Sequence, residues 1–204
     1  MPFNLDSLQK YALENNIALK GVIHLGSHNH GIQSMYNTLN IHNNNIIWIE
    51  SDTAKANFNI KFGIPNCFTT IIDEHKPFIN YDNQQQKTLC TLECCVNEPH
   101  LVITEVDDNQ TRTLTEFFEI TNLDPMEFNI WNFDALGSEF RILKSSQNLL
   151  KFADIIYTGI NSTEITKKNN VESDIDTLLK EHGLIRIETI KNEDNWCMAL
   201  YIRI

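Results

Sequence analysis

Residues 21–31 join a short apolar run to a stretch with helical spacing through a turn that begins at Gly26. A second apolar run, residues 46–49, follows this stretch and ends in Glu50. In a strand–turn–helix–strand unit of this kind, the glycine lets the backbone approach a ligand and the acid accepts hydrogen bonds from ribose hydroxyls. The pattern therefore predicts a parallel sheet that binds a nucleotide-like cofactor at the carboxyl edge of its strands.

Apolar periodicity predicts that strands and helices go on alternating along the chain. Helices are expected at residues 4–16, 32–39, 54–62, 113–120, 139–150 and 171–182, and strands at 21–25, 46–50, 67–72, 128–133, 153–160, 184–190 and 197–204. The polar connection at residues 191–195 is too short for a crossover helix, so the last two strands form an antiparallel hairpin. We expect an α/β sandwich of three layers around a mostly parallel, seven-stranded sheet.

Two local details follow from the same patterns. Ser138 is placed to cap the helix that begins at Glu139. The strand at residues 67–72 contains only apolar residues and threonine, which predicts that it is buried on both faces.

Residues 73–110 interrupt this alternation. Strands are expected at 88–96 and 101–106, paired as a β-hairpin across residues 97–99. We interpret this part as a β insertion, and such insertions often carry substrate specificity. The chain shows no repeats or linkers, so residues 1–204 are expected to form one domain, with an N-terminal helical segment at 1–20.

The net charge limits the kinds of binding partner, and the cysteine content indicates the cellular compartment. A formal net charge of −11 argues against nucleic acid or an anionic membrane as the main partner. The chain has no apolar stretch of about 20 residues and no secretory leader at its start. Five cysteines, an odd number, indicate free thiols in a reducing compartment, which predicts a cytoplasmic protein.

The spacing of three cysteines bears on metal binding, and the asparagine content bears on the source of the protein. Cys90, Cys94 and Cys95 lie in a strand-like pattern and lack a second ligand pair, so no metal site is predicted. Abundant asparagine together with isoleucine and lysine indicates an AT-rich genome, such as that of a virus or a parasite. A viral protein would work in the host cytoplasm. The sequence leaves a homo-oligomer open.

Each candidate site residue has a functional and a structural interpretation. Gly26 either meets a cofactor or only makes a strand-to-helix turn. Glu50 either accepts two ribose hydroxyls or complements a helix N-terminus. Asp134, after the strand at 128–133, is a general base, a metal ligand or a turn residue. His28 and His30 either contact a ligand or are bystanders, and Glu139 is assigned to the first turn of its helix.

Several motifs together resemble the FkbM family of S-adenosylmethionine-dependent methyltransferases. The sequence Gly-Ser-His-Asn-His-Gly at 26–31, with Tyr36, is similar to the family's first motif. Trp-Ile-Glu at 48–50 and Asp-Ala-Leu-Gly-Ser-Glu at 134–139 are similar to the next two, and the second of these follows Thr-Leu-Thr-Glu-Phe at 113–117. Trp196 and the strand after it are also similar, so the resemblance covers nearly the whole chain.

The resemblance implies a class I methyltransferase fold, which is Rossmann-like, and methyl transfer to a hydroxyl of a sugar, a glycan or another small molecule. For such a reaction, Asp134 is the best candidate catalytic residue, as the base that removes the proton of the acceptor hydroxyl. The S-adenosylmethionine-binding residues that the resemblance implies are Gly26, Ser27, His28, Glu50 and Ser51. A nicotinamide-dependent dehydrogenase is disfavoured, because the first turn lacks Gly-x-Gly-x-x-Gly and the reversed final strand does not suit that class.

Some positions depart from the family pattern. His30 stands where the family has glycine, and Gly31 and Gly159 stand where it has glutamate, the latter after the fifth strand. These departures motivate an alternative: a relative that has lost catalysis, keeps the fold, and serves as a binding or structural subunit.

Overall fold

The computed structural model describes residues 5–26, 32–51, 57, 61, 64–69, 71–72, 79–81, 87–88, 102–104, 111–135, 137–161, 172–191 and 196–204. The described helices are α1 Leu5–Glu14, α2 Gln33–Thr38, α3 Leu114–Thr121, α4 Glu139–Ser145 and α5 Glu172–Glu181. The strands of the main sheet are β1 Val22–Leu25, β2 Ile46–Glu50, β3 Cys67–Thr69, β9 Ile130–Phe133, β10 Ile155–Asn161, β11 Leu184–Lys191 and β12 Trp196–Arg203.

The main sheet has seven strands in the order β11-β12-β10-β9-β1-β2-β3. Strands β10, β9, β1, β2 and β3 pair in parallel, whereas β12 is antiparallel to both β10 and β11. The predicted mostly parallel sheet with an antiparallel C-terminal hairpin is therefore confirmed. Strands β1, β2 and β9 lie in the middle of the sheet and are buried along their whole length, as apolar parallel strands covered on both faces should be.

Helices cover both faces of the sheet and give it three layers. On one face, Trp131 and Phe133 of the sheet share a core with α3, α4 and α5. On the other face, Trp48 shares a second core with α1 and with Tyr36 of α2. Strand β1 is followed by α2 on one face, whereas its neighbour β9 is followed by α4 on the other face. The carboxyl ends of β1 and β9 therefore lie where the chain changes faces, which is where open α/β sheets bind ligands.

Two smaller sheets come from the part of the chain between β3 and α3. Strand β5, Ile79–Tyr81, lies between β6, Lys87–Thr88, and β7, Val102–Thr104, and is antiparallel to both. Strand β4, Ile71–Ile72, pairs in parallel with β8, Thr111–Arg112. The expected hairpin across residues 97–99 lies outside the described residues.

The strand predicted at 67–72 differs from the expectation of burial on both faces. Its first half, β3, is the edge strand of the main sheet, and Cys67 and Phe68 are only half-buried. The second half, β4, belongs to a different sheet. A run of apolar residues and threonine is typical of a strand buried on both faces, but an edge position exposes part of the same side chains. Of the helix predicted at 54–62, only residues 57 and 61 are described, and both are helical.

The helix after Asp134 also differs from prediction. The Ser138 side chain does not cap it, because Ser138 already has helical backbone angles and its hydroxyl accepts a hydrogen bond from Arg141 at 3.0 Å. Helix α4 ends at Ser145 and not near residue 150, where a short 3-10 helix, Leu150–Phe152, follows. The pair Thr158-Gly159 lies within β10 and not after the fifth strand, so the departure at Gly159 falls in the sheet.

Candidate active site

Three predicted site residues meet at the carboxyl edge of the central strands. Gly26 follows β1, Glu50 ends β2, and Asp134 follows β9, and β1 lies between the other two strands. The Gly26 N–H donates to the Ile49 carbonyl at 2.9 Å, and the Asp134 N–H donates to the Leu25 carbonyl at 3.0 Å. The parallel ladder thus continues past the strand ends and holds these residues side by side.

The backbone at Gly26 can be formed only by glycine without a rearrangement. Its φ of +79° lies in the left-handed region, which residues with a Cβ adopt at a cost. A Cβ at this position would lie 2.0 Å from the backbone carbonyl oxygen of Asp134. The close approach of the two turns after β1 and β9 therefore depends on the absence of a side chain.

Two carboxylic side chains lie beside this turn. Glu50 and Asp134 are 4% and 5% exposed, respectively. The Ser51 hydroxyl donates to Glu50 Oε1 at 3.5 Å. A carboxylate at the end of β2 offers two acceptor oxygens, which suits a pair of vicinal hydroxyls. Asp134 follows β9, so the two acids lie on opposite sides of Gly26 at the same edge of the sheet.

Glu139 has a more extensive structural role than the first turn of its helix. Its side chain is fully buried and accepts hydrogen bonds from the Ala135 N–H at 2.9 Å and the Gly137 N–H at 2.8 Å. These bonds satisfy backbone donors of the turn that connects Asp134 to α4. Glu139 therefore fixes the turn after Asp134 and has its acceptor atoms engaged by the backbone.

Ser27, His28 and His30, which were assigned on sequence to the first turn, lie outside the described residues. Among the described residues, no group of three His, Cys, Asp or Glu side chains could hold a metal ion. Cys197 is a free, buried thiol, whereas Cys90, Cys94 and Cys95 lie outside the described part of the chain. None of the described helices is long and apolar enough to cross a membrane.

A group of buried polar side chains lies directly below the site and was missed in the sequence. Trp48, His24 and Asn132 are paired neighbours on β2, β1 and β9, two residues before Glu50, Gly26 and Asp134. Tyr36 of α2 contacts all three. We call these four residues the polar layer. A histidine and an asparagine within otherwise apolar strands were the available signal, because such groups are buried only with partners.

Burial raises the pKa values of three tyrosines in the two cores of the protein. Burial raises the pKa of Tyr36 well above its ordinary value, although the hydrogen bond from Asn132 opposes this effect. Burial, Glu188 and then Asp134 raise the pKa of Tyr157. On the opposite face, burial and the hydrogen bond to Asp176 raise the pKa of Tyr201. All three hydroxyls therefore stay protonated at neutral pH.

These tyrosines predict a loss of stability in alkali. The folded protein keeps the three phenolic protons above pH 10, whereas the unfolded chain releases them near the ordinary pKa of about 10. The stability present below that pKa is therefore lost as pH rises toward the folded-state pKa values, by about 1.4 kcal/mol per pH unit for each tyrosine. Urea unfolding between about pH 9 and pH 11 measures this slope, and Tyr201→Phe should reduce it by one proton. A slope near zero would contradict the prediction.

The chain is similar to known proteins in its three-dimensional structure. No protein-family model and no curated protein matches the chain. The methyltransferase FkbM from Methylobacillus flagellatus KT has a similar structure, with a TM-score of 0.55 and 10% sequence identity over 90% of this chain and 43% of that one. Our chain thus spans less than half the length of that relative.

Two further solved structures are similar at lower scores. The TrmK structure from M. capricolum, in complex with S-adenosylhomocysteine, has a TM-score of 0.49 and 12% identity over 100% of this chain and 68% of that one. Magnesium protoporphyrin IX methyltransferase from Synechocystis PCC 6803, with bound S-adenosylmethionine, has a TM-score of 0.47 and 10% identity over 98% of this chain and 78% of that one. The strand order, the reversed β12 and the likeness to the FkbM structure show that the chain has the class I methyltransferase fold.

Proposed function

We propose that this protein is an S-adenosylmethionine-dependent methyltransferase of the FkbM type that methylates a hydroxyl of a sugar or another small molecule. The observation that supports the proposal best is the meeting of Gly26, Glu50 and Asp134 at the carboxyl edge of the central strands. In open α/β sheets, ligands bind in the crevice outside these strand ends. The cofactor residues that we propose are Gly26, Ser27, His28, Glu50 and Ser51.

The described residues fit the proposed cofactor. Glu50 offers two acceptor oxygens at the end of β2. The neighbouring turn has glycine at position 26, so no side chain there keeps a ligand away from the backbone. A ribose held by the Glu50 carboxylate would direct the rest of the cofactor along the neighbouring turn toward the end of β9. Asp134 follows β9, and we therefore assign it to the acceptor side of the same crevice.

Methyl transfer from a sulfonium to a hydroxyl needs no covalent intermediate with the protein. When bound, S-adenosylmethionine supplies an electrophilic methyl group on a sulfonium. The chain aligns the acceptor oxygen with this group, which contributes through proximity and orientation. Asp134 accepts the proton that the acceptor hydroxyl loses as it forms the new bond. Asp134 is only 5% exposed, so the acid lies in a poorly solvated position, where such contacts are stronger.

Acceptor choice is assigned to the β insertion at residues 73–110, part of which forms the small sheet of β5, β6 and β7. Insertions that project from a scaffold commonly carry specificity. An acceptor screen over free sugars, nucleotide-linked sugars and small alcohols, with transfer of a labelled methyl group as the readout, identifies the acceptor class.

The proposal is tested first by calorimetric titration with S-adenosylmethionine and with S-adenosylhomocysteine. We expect micromolar binding of at least one of them to the purified protein. Absence of binding to a folded sample would contradict the proposal and favour the alternative, a relative without catalysis that acts as a binding or structural subunit.

Glu50→Ala is expected to weaken cofactor binding by about 1.5–3 kcal/mol, because hydrogen bonds to a charged group are lost. Glu50→Gln should recover part of the loss, since one acceptor oxygen remains. Glu119→Ala is the control, because Glu119 is an exposed acid of α3 and its loss changes the net charge equally. Calorimetry measures all three variants. Equal affinity of Glu50→Ala and Glu119→Ala would remove Glu50 from the site.

A further inference from the structure

The polar layer of Tyr36, His24, Asn132 and Trp48 is a connected set of buried side chains directly below the site. The Tyr36 hydroxyl lies 2.8 Å from His24 Nδ1 and accepts a hydrogen bond from Asn132 Nδ2 at 2.7 Å. Trp48 packs on the His24 ring with centroids 4.9 Å apart. Tyr36 and Trp48 are fully buried, and His24 and Asn132 are 5% and 3% exposed.

The polar layer has the same strand spacing as the site above it. Trp48, His24 and Asn132 stand next to one another in the sheet register. Glu50, Gly26 and Asp134 come two residues later on the same three chain segments, about 7 Å further along. A side chain two residues away on a strand points to the same face, so Glu50 lies above Trp48 on the face that α2 covers.

Two polar side chains approach the same ring nitrogen of His24. Two donor groups converge on Nδ1, because Asn132 Nδ2 lies 3.3 Å from it and the Tyr36 hydroxyl lies 2.8 Å from it. Asn132 already donates to the Tyr36 oxygen, so the Tyr36 proton is available for Nδ1. A neutral imidazole with its proton on Nε2 would suit both contacts, and we adopt this tautomer as part of the proposal that the nitrogen NMR measurement below tests.

We propose that Tyr36, through His24 and Asn132, is a positioning residue that sets the distance between the cofactor turn at Gly26 and the acid at Asp134. One hydroxyl joins α2, β1 and β9, so it fixes the helix after the first turn to both strands that end at the site. This inference rests on the proposed function for its effect on methyl transfer, but not for its effect on the protein without ligand.

The test compares Tyr36→Phe with Tyr201→Phe. Both replace a fully buried tyrosine and remove one hydrogen-bonded hydroxyl, since Tyr201 donates to Asp176 at 2.8 Å on the opposite face. Both variants should therefore melt at a lower temperature. Only Tyr36→Phe should weaken binding of S-adenosylhomocysteine, by about tenfold, the scale of one buried hydrogen bond. Equal affinities of the two variants, with measurable binding by the wild type, would overturn the inference.

Two measurements without ligand keep this test separate from the proposed function. Amide exchange at Gly26 and Asp134, relative to the amides of β12, should be faster in Tyr36→Phe than in Tyr201→Phe. Nitrogen NMR of the wild type should show His24 with its proton on Nε2, and Tyr36→Phe should shift the Nδ1 signal. Unchanged exchange, or a wild-type proton on Nδ1, would overturn the inference. Failure of the wild type to bind S-adenosylhomocysteine would instead count against the proposed function.

Discussion

Replacing Gly26 with alanine is expected to lower the free energy of unfolding by about 2–5 kcal/mol, the sum of left-handed backbone strain and overpacking. The new Cβ would lie 2.0 Å from the Asp134 carbonyl oxygen, a backbone atom that a rotamer change cannot move. The turns after β1 and β9 must therefore separate. Urea denaturation measures the loss of stability, and calorimetry should show that cofactor affinity falls with it.

Gly183→Ala provides the control for this effect. Gly183 has nearly the same backbone angle, with a φ of +78°, but a Cβ added there would have Arg203 Nη1 as its nearest neighbour at 3.4 Å, an ordinary van der Waals distance. This variant should show the strain alone, about 1–2 kcal/mol. If the two variants lost equal stability, the contact between Gly26 and Asp134 would not be as close as described.

Asp134→Asn is expected to lower kcat by about 100-fold or more, which is the usual contribution of a general base. The amide keeps the size of the side chain but cannot accept the proton of the acceptor hydroxyl. Because Glu50 and the Gly26 turn are unchanged, cofactor affinity should stay within about twofold of the wild type, less than one hydrogen bond. Transfer of a labelled methyl group gives kcat, and calorimetry gives the affinity.

Asp124→Asn is the matched control for the loss of an acid. Asp124 is exposed and accepts the Met126 N–H at the start of a short 3-10 helix, Pro125–Glu127, a cap that asparagine provides equally well. This variant should retain full turnover. Retained turnover in Asp134→Asn as well would remove Asp134 from the mechanism.

The sheet could be predicted because its signals are local. Each central strand consists mostly of large apolar residues, and the connection at residues 191–195 is too short for a crossover helix, which fixes the reversed β12. Helix ends were also marked in the sequence: Asn16, Asn40 and Asn122 take the left-handed conformation after α1, α2 and α3. Asparagine tolerates that conformation, so part of an apparent composition bias has a use in the fold.

The polar layer and the edge position of β3 could not be predicted in the same way. Which residues of β1, β2 and β9 stand side by side depends on the register of strands far apart in the chain. The burial of His24 and Asn132 is explained only by their contacts with Tyr36 of α2, which the sequence does not show. Ser138 stands at the predicted N-cap position, but its side chain does not cap the helix, since its backbone is already helical and its hydroxyl accepts from Arg141.

The position of β12 between β10 and β11 has a consequence for how the chain folds during synthesis. Strand β11 precedes β12 in the sequence, yet it joins the main sheet through β12. The two strands are expected to form a hairpin first, because their contacts are local, and then to dock onto β10 together. A ribosome that stalls before residue 196 would leave the pairing edges of β10 and β11 open. Such a nascent chain is an aggregation risk until β12 emerges.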